Sequence, residues 1–145
     1  MNEFVVVDTN VLLDVLNSDP EWADWSEEQM SRFPKRLVIN PIIYTELCYT
    51  AASIEEVESA VEMLGLIYRD MPKKALFLAS QAFRVYRERG GTKTAPLADF
   101  FIGAHAQASS YRILTRDVER YRAYFPGVQL IAPLGVEVEE SKGRS

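Results

Sequence analysis

The chain opens on an apolar run, Phe4-Val5-Val6-Val7, that stops at a carboxylate, Asp8. Three consecutive β-branched residues with no polar alternation predict a short strand buried on both faces. Val11 to Leu16 predict a helix, which Asp8, Thr9 or Asn10 can cap. Glu21 to Phe33 predict a second, strongly acidic helix whose packed side carries Trp22, Trp25 and Met30. Arg36 to Ile39 predict the next strand. Pro41 suits the first turn of the following helix, which carries Glu46 and runs to about Ala52. Ser53-Ile54-Glu55-Glu56 reads as a capping box ahead of Val57, Val61 and Leu64 at helical spacing.

After a turn at Asp70-Met71-Pro72, a long helix runs through Arg89, with Leu76, Ala79, Phe83 and Tyr86 as its apolar stripe. Gly90 to Pro96 is loop-like. Leu97 to Ser109 is apolar almost all round, the pattern of a buried helix. Arg112 to Thr115, Val118 to Phe125 and Val128 to Ile131 then predict strand, short helix and strand. Alternation of this kind implies an α/β fold: a mostly parallel sheet of about four strands with helices on both faces. Residues 1–133 form the expected single domain, and 134–145 the expected mobile tail.

Composition changes this picture little. Hydrophobic residues make up 48% and charged residues 26% of 145, as in globular chains. No apolar run reaches the ~18 residues of a membrane span, and no basic region precedes the first apolar run as in a signal peptide. The single cysteine, Cys48, excludes an internal disulfide and a cysteine-based zinc cluster and fits a reducing cytoplasm.

Charge changes it more. The net charge of −5 speaks against a simple cationic nucleic-acid binder. Yet residues 1–31 hold eight acids and no Lys or Arg, whereas residues 69–93 hold seven basic residues against Asp70 and Glu88. Arg112, Arg116, Arg120 and Arg122 form a second basic group. Either these are ordinary solvated faces, or one side of the molecule holds a polyanion.

In a parallel sheet, ligands bind outside the carboxyl ends of the strands. Asp8 ends the first strand, and Asp117 follows Ile113-Leu114-Thr115-Arg116. Asp99 sits in the first turn of the buried helix, and Glu46 lies in the helix that follows the second strand. Asp8 and Asp117 also suit helix caps, and Asp99 suits the positive end of its helix. Asp99 and Glu46, however, stand among apolar neighbours, where an unpartnered acid is costly. Four acids delivered to one edge by separate elements repel one another unless a cation joins them. Oxygen donors without His or Cys favour Mg²⁺ or Mn²⁺, and such an ion equips a site to hydrolyse a phosphodiester.

Other chemistries lack their residues. One histidine, His105, excludes a two-histidine ribonuclease, and its place in the buried helix suits a structural role. No G-x-G-x-x-G, P-loop or G-x-S-x-G motif is present. Cys48 has no evident base beside it and reads as a buried, inert thiol.

The segments VVVDTNVLLDVL, INPIIYTELCY, ADFFIGAHA and ILTRDVERYRAYFPGVQLIAP, in that order and spacing, resemble the motifs of PIN-domain ribonucleases. The likeness is strongest to VapC-type toxins of bacterial toxin–antitoxin pairs and spans residues 4–133. It implies a PIN-like α/β/α fold and a Mg²⁺- or Mn²⁺-dependent endoribonuclease, with Asp8, Glu46, Asp99 and Asp117 as metal-holding and catalytic acids. Thr9, Asn10 and Thr115 match supporting polar positions. The resemblance also implies a homodimer and a cognate antitoxin that folds over the active site. The charge map suggests Arg84, Arg87, Lys93 and Arg116 as RNA contacts.

Two other readings compete. One is a non-catalytic PIN-like domain that binds RNA or protein. The other is an Asp/Mg²⁺ phosphoryl-transfer or receiver domain, which typically needs a second acid beside the acceptor Asp and a late-strand Lys. Here Thr9 and Asn10 follow Asp8, and the last strand leads into Pro133.

Overall fold

A computed structural model describes residues 3–133; the expected tail at 134–145 lies outside the described residues. Strand β1 (Val5–Val7) has all three valines fully buried. It pairs in parallel with β2 (Leu37–Ile39) on one side and β4 (Arg112–Leu114) on the other. That central position is why its sequence shows no alternation: both faces are covered, so no position favours a polar side chain. Strand β3 (Ile67–Tyr68) extends the sheet beyond β2, and β5 (Leu130–Ile131) extends it beyond β4. Among the described residues the sheet thus has five strands in the order β3-β2-β1-β4-β5, all parallel.

The expected count was about four, and the unforeseen strand is β3. It is a two-residue edge strand, too short for any periodicity, with Tyr68 half exposed and packed edge-on against Tyr44.

The strand order decides where a site forms. From β1 the chain moves outward through β2 to β3, then crosses back to β4 and continues to β5. Right-handed crossovers therefore put the first two connections on one face of the sheet and the last two on the other. The order reverses between β1 and β4, and the carboxyl ends of those two strands flank the crevice. Register aligns them, because Val7 pairs with Leu114 and the Asp8 amide donates to the Leu114 carbonyl at 2.9 Å.

The first face carries α1 (Thr9–Leu16), α2 (Ala23–Ser31), α3 (Pro41–Tyr49) and α4 (Ile54–Met63). Helix α3 starts as its sequence predicts. Asn40 caps it by accepting from the Ile43 amide at 3.0 Å, and Pro41 takes the first turn. The Ser53 half of the expected capping box forms, with Ser53 Oγ accepting from the Glu56 amide, while the Glu56 carboxylate accepts from the Ala52 amide, one residue before the cap.

Helices α5 (Lys73–Glu88), α6 (Ala98–Ser109) and α7 (Glu119–Tyr124) follow, with α5 and α7 both packed on α6. Helix α6 buries Phe100, Ile102, Gly103, Ala104, His105 and Ala106, which explains its nearly uniform apolarity. Of the expected α5 stripe, Ala79 is buried and Phe83 and Tyr86 pack against Phe100 of α6, so only Leu76 departs from it. Ala75, Ala79 and Ala82 are buried, whereas Leu76 is exposed. Close approach to α6 favours alanine, and the larger Leu76 is rotated away from that seam.

Candidate active site

Asp8 leaves β1 at the N-cap position of α1, with extended backbone and no side-chain cap bond. Its Oδ2 instead accepts from Thr115 Oγ1 and from the Tyr121 hydroxyl, both at 2.8 Å. The capping explanation of this residue thus fails at the side chain. Burial pushes its carboxyl up from 3.8 to about 6, against the lowering effect of these two hydrogen bonds. The like charges of Glu46 and Asp99 push it up further. Tyr121 is itself buried, and burial beside Asp8 holds its phenol well above the usual range.

The other acids arrive on separate elements. Glu46, on α3, is half-buried and accepts the hydroxyl of Thr9. Asp99 is in the first turn of α6, where burial raises its carboxyl and the neighbouring Arg120 opposes the rise. Arg120 Nε lies 3.0 Å from Asp99 Oδ2. Asp117 is exposed just beyond β4, its amide tied to Thr115 Oγ1 at 3.0 Å. Thr115 therefore serves two acids: it donates to Asp8 and braces the backbone of Asp117.

All four acids line one open cleft of about 720 Å³, together with Thr9, Asn10, Thr45, Tyr49 and Ile102. Among the described residues, no three Asp, Glu, His or Cys side chains already form a group able to hold a metal ion. Neutral or cationic partners hold them individually: Thr115 and Tyr121 on Asp8, Thr9 on Glu46, Arg120 on Asp99. The donors nonetheless fit a hard divalent ion. They are all oxygens, Asp8 and Asp99 are raised by burial, and among the described residues Asp99 Oδ1 is buried without a hydrogen-bond partner of good geometry.

The remaining expected residues divide. Asn10 lines the cleft, and its Oδ1 accepts from the Arg116 amide at 3.4 Å. Arg116, expected as an RNA contact, is engaged within the protein. Its guanidinium forms a two-pronged pair with buried Asp14 at 2.6 and 2.9 Å and lies over the Trp22 ring. Ser26 completes this knot by donating to Asp14 at 2.7 Å. The pair anchors the loop that carries Thr115 and Asp117 to α1. Arg84, Arg87 and Lys93 are exposed, and Arg87 also donates to the Lys93 carbonyl at 2.7 Å. None of the three lines the acidic cleft.

His105 is buried as expected, within 3.1 Å of Asn40 Nδ2 and packed against Tyr111. Cys48 corrects the expectation of a buried thiol: it is exposed. Ile43 and Leu47 define the buried side of α3, and Cys48 follows Leu47 about 100° further round the helix.

Tyr121, Arg120 and Asp14 were not foreseen as parts of the site or its support. Tyr121 follows Asp117 by four residues, one helical turn, but a tyrosine there reads equally well as core. The partners of Arg120 and Asp14 are distant in sequence, so no local pattern marks them.

The PIN domain family matches residues 5–126 of this chain. No curated protein matches it. Among solved structures, a chain of DNA-bound VapBC from Salmonella typhimurium has a TM-score of 0.69 at 20% identity, over 90% of this chain and 98% of that one. VapBC2 from Rickettsia felis, bound to a DNA fragment from its promoter, has a TM-score of 0.65 at 18% identity, over 89% and 98%. FitAcB from Neisseria gonorrhoeae has a TM-score of 0.63 at 19% identity, over 88% and 96%. At these identities the likeness is one of fold.

Proposed function

This chain belongs to the PIN domain family, and from that premise we propose that it is a Mg²⁺- or Mn²⁺-dependent endoribonuclease acting as the toxin of a toxin–antitoxin pair. The observation that carries this reading is the convergence of Asp8, Glu46, Asp99 and Asp117 on one cleft beside the strand-order reversal. Four separate elements supply them, so no single acidic run accounts for it.

In this reading Asp8, Asp99, Asp117 and Glu46 hold the divalent ion, which supplies Lewis acidity toward water and toward the phosphate. Thr115 and Tyr121 both donate to Oδ2 of Asp8, fixing the carboxylate and leaving Oδ1 for a cation. Their hydrogen bonds favour the ionised form that a metal requires, against the burial that disfavours it. Thr9 orients Glu46 in the same way. Arg116 and Asp14 hold the loop that presents Asp117. Arg84, Arg87 and Lys93 offer exposed charge to an RNA strand that continues past the cleft.

Its proposed partners are a cognate antitoxin and a second copy of the chain. The exposed apolar side chains Tyr49, Met63 and Phe77 are of the kind such interfaces cover. Among the described residues no helix is long and apolar enough to cross a membrane, and the single cysteine fits the proposed cytoplasmic setting.

The test is cleavage of single-stranded RNA by the purified protein. Cutting is expected with Mn²⁺ or Mg²⁺. It should fall at least ~10²-fold in Asp99→Asn, the scale for removing one charge-stabilising group. Undiminished cutting in EDTA would sink the reading. RNA binding without product under any metal condition would favour the non-catalytic alternative.

A further inference from the structure

Arg120 stands on α7, three residues after Asp117, with its guanidinium held from several sides. Its central carbon lies 5.1 Å from the Tyr86 ring centre and 5.2 Å from that of Phe100. Its Nε lies 3.0 Å from Asp99 Oδ2. A guanidinium facing a carboxylate commonly uses two parallel donors on the two oxygens. Arg116 does so with Asp14. Arg120 does not. The guanidinium also faces the Tyr86 hydroxyl, and the Asp99 and Phe100 amides face the Asp99 carboxylate, yet among the described residues neither Arg120 Nη1 nor Asp99 Oδ1, both buried, has a hydrogen-bond partner of good geometry.

One residue pair thus presents an unmet donor and an unmet acceptor, and groups of that kind are rare without a functional reason. Nη1 calls for an anionic oxygen; Oδ1 calls for a cation. Asp99 and Arg120 border a small cleft of about 290 Å³ with Tyr86, Asp117, Glu119 and Tyr124. It shares Asp99 and Asp117 with the larger acidic cleft. Three acids around it would repel a lone anion, so the fitting ligand is an anion that comes with its own cation. A phosphodiester accompanied by a divalent ion is such a ligand.

We infer that Arg120 is a phosphate-contacting residue: Nε keeps Asp99 in place while Nη1 takes a non-bridging oxygen of the RNA backbone beside Asp117. This rests on the ribonuclease reading and adds to it the cation that meets the backbone inside the cleft. The roles of Arg116, in the loop after β4, and Arg120, on α7, separate accordingly. Arg116 spends both prongs on Asp14 and positions the loop, whereas Arg120 retains one donor for substrate.

The experiment uses the full chain, a fluorescently labelled single-stranded RNA in Ca²⁺, and Mn²⁺ calorimetry without RNA. Arg120→Ala is expected to bind RNA about tenfold more weakly, the loss of one charge-assisted hydrogen bond. Its slope of log affinity against log salt should be shallower by about 0.7, the share of one phosphate on a single strand. Its Mn²⁺ affinity should not fall. Arg120→Lys should restore the slope and only part of the affinity, because the charge returns without the fork. Arg120→Gln keeps a stem over Tyr86 and Phe100, carries the same expectation as Arg120→Ala, and serves if the alanine variant misfolds. Arg32→Ala, an exposed change remote from the cleft acids, controls for net charge.

Unchanged RNA affinity and slope in Arg120→Ala and Arg120→Gln would overturn the inference. So would a loss of Mn²⁺ binding in proportion to RNA binding, which would confine Arg120 to holding Asp99. Wild-type protein that binds RNA but yields no product in Mn²⁺ would remove the ribonuclease reading alone, with the affinity measurements still deciding on Arg120.

Discussion

Asp8→Asn should stabilise the metal-free protein at neutral pH while removing its proposed activity. Burial beside Glu46 and Asp99 raises the Asp8 carboxyl from 3.8 to about 6. At ~1.36 kcal/mol per pH unit, this corresponds to about 3 kcal/mol. The sign follows from the folded state binding the proton more tightly than the unfolded one. The contribution is complete below pH ~3.8 and is lost as pH rises through about 6. Roughly 1.4 kcal/mol of it is still present at pH 5 and almost none at pH 8. Asparagine cannot ionise, so its stability relative to wild type should improve by about 1.4 kcal/mol between those two pH values.

Urea unfolding of both proteins in EDTA, at pH 5 and pH 8, measures that difference. The comparison cancels titrations common to both chains, and the change with pH is insensitive to a constant loss of hydrogen-bond quality at Thr115 or Tyr121. A relative stability that does not move with pH, or that moves against the variant at pH 8, would refute the claim that Asp8 carries this burden. Saturating Mn²⁺ at pH 8 should then stabilise wild type more than the variant, since an ion that binds only the folded state adds its binding free energy to stability.

Arg116→Ala should cost about 3 kcal/mol in urea unfolding, because among the described residues it leaves the buried Asp14 carboxylate with Ser26 alone as a side-chain partner. Arg116→Lys should fall between it and wild type, since the charge remains but the two-pronged geometry does not. In Gly103→Ala the added Cβ would stand 2.3 Å from Phe125 Cδ2, so a loss of about 1–3 kcal/mol is expected from overpacking at that contact. Phe125→Leu in the same background should return part of the lost thermal midpoint, and no recovery would show that the clash lies elsewhere.

Much of this molecule was legible without coordinates, and the reasons are local. The uninterrupted Val5-Val6-Val7 run, the Asn40-Pro41 helix start and the Ser53 helix cap each depend on neighbours within a few residues, and each forms. The sheet-edge logic also needs only strand ends, so Asp8, Glu46, Asp99 and Asp117 were identifiable as a set before their cleft was seen. What was not legible had one local cause and one tertiary cause. Strand β3 has two residues, and the orientations of Leu76 and Cys48 depend on which side of an otherwise mixed helix meets its neighbour.

The sequence by itself therefore determined the class of fold, the order of its elements and the acids that gather at one edge, because periodicity and capping are encoded over short spans. Only the tertiary structure decided what each acid and arginine does. The chain reverses its strand order between β1 and β4, which brings Thr115 and Tyr121 onto Asp8 from more than 100 residues away. The same folding sends Arg116 to Asp14 and Arg120 to Asp99, although both arginines lie in one short basic segment. Charge along a sequence does not say which partner it will meet; burial and distance do, and both exist only once the chain has folded.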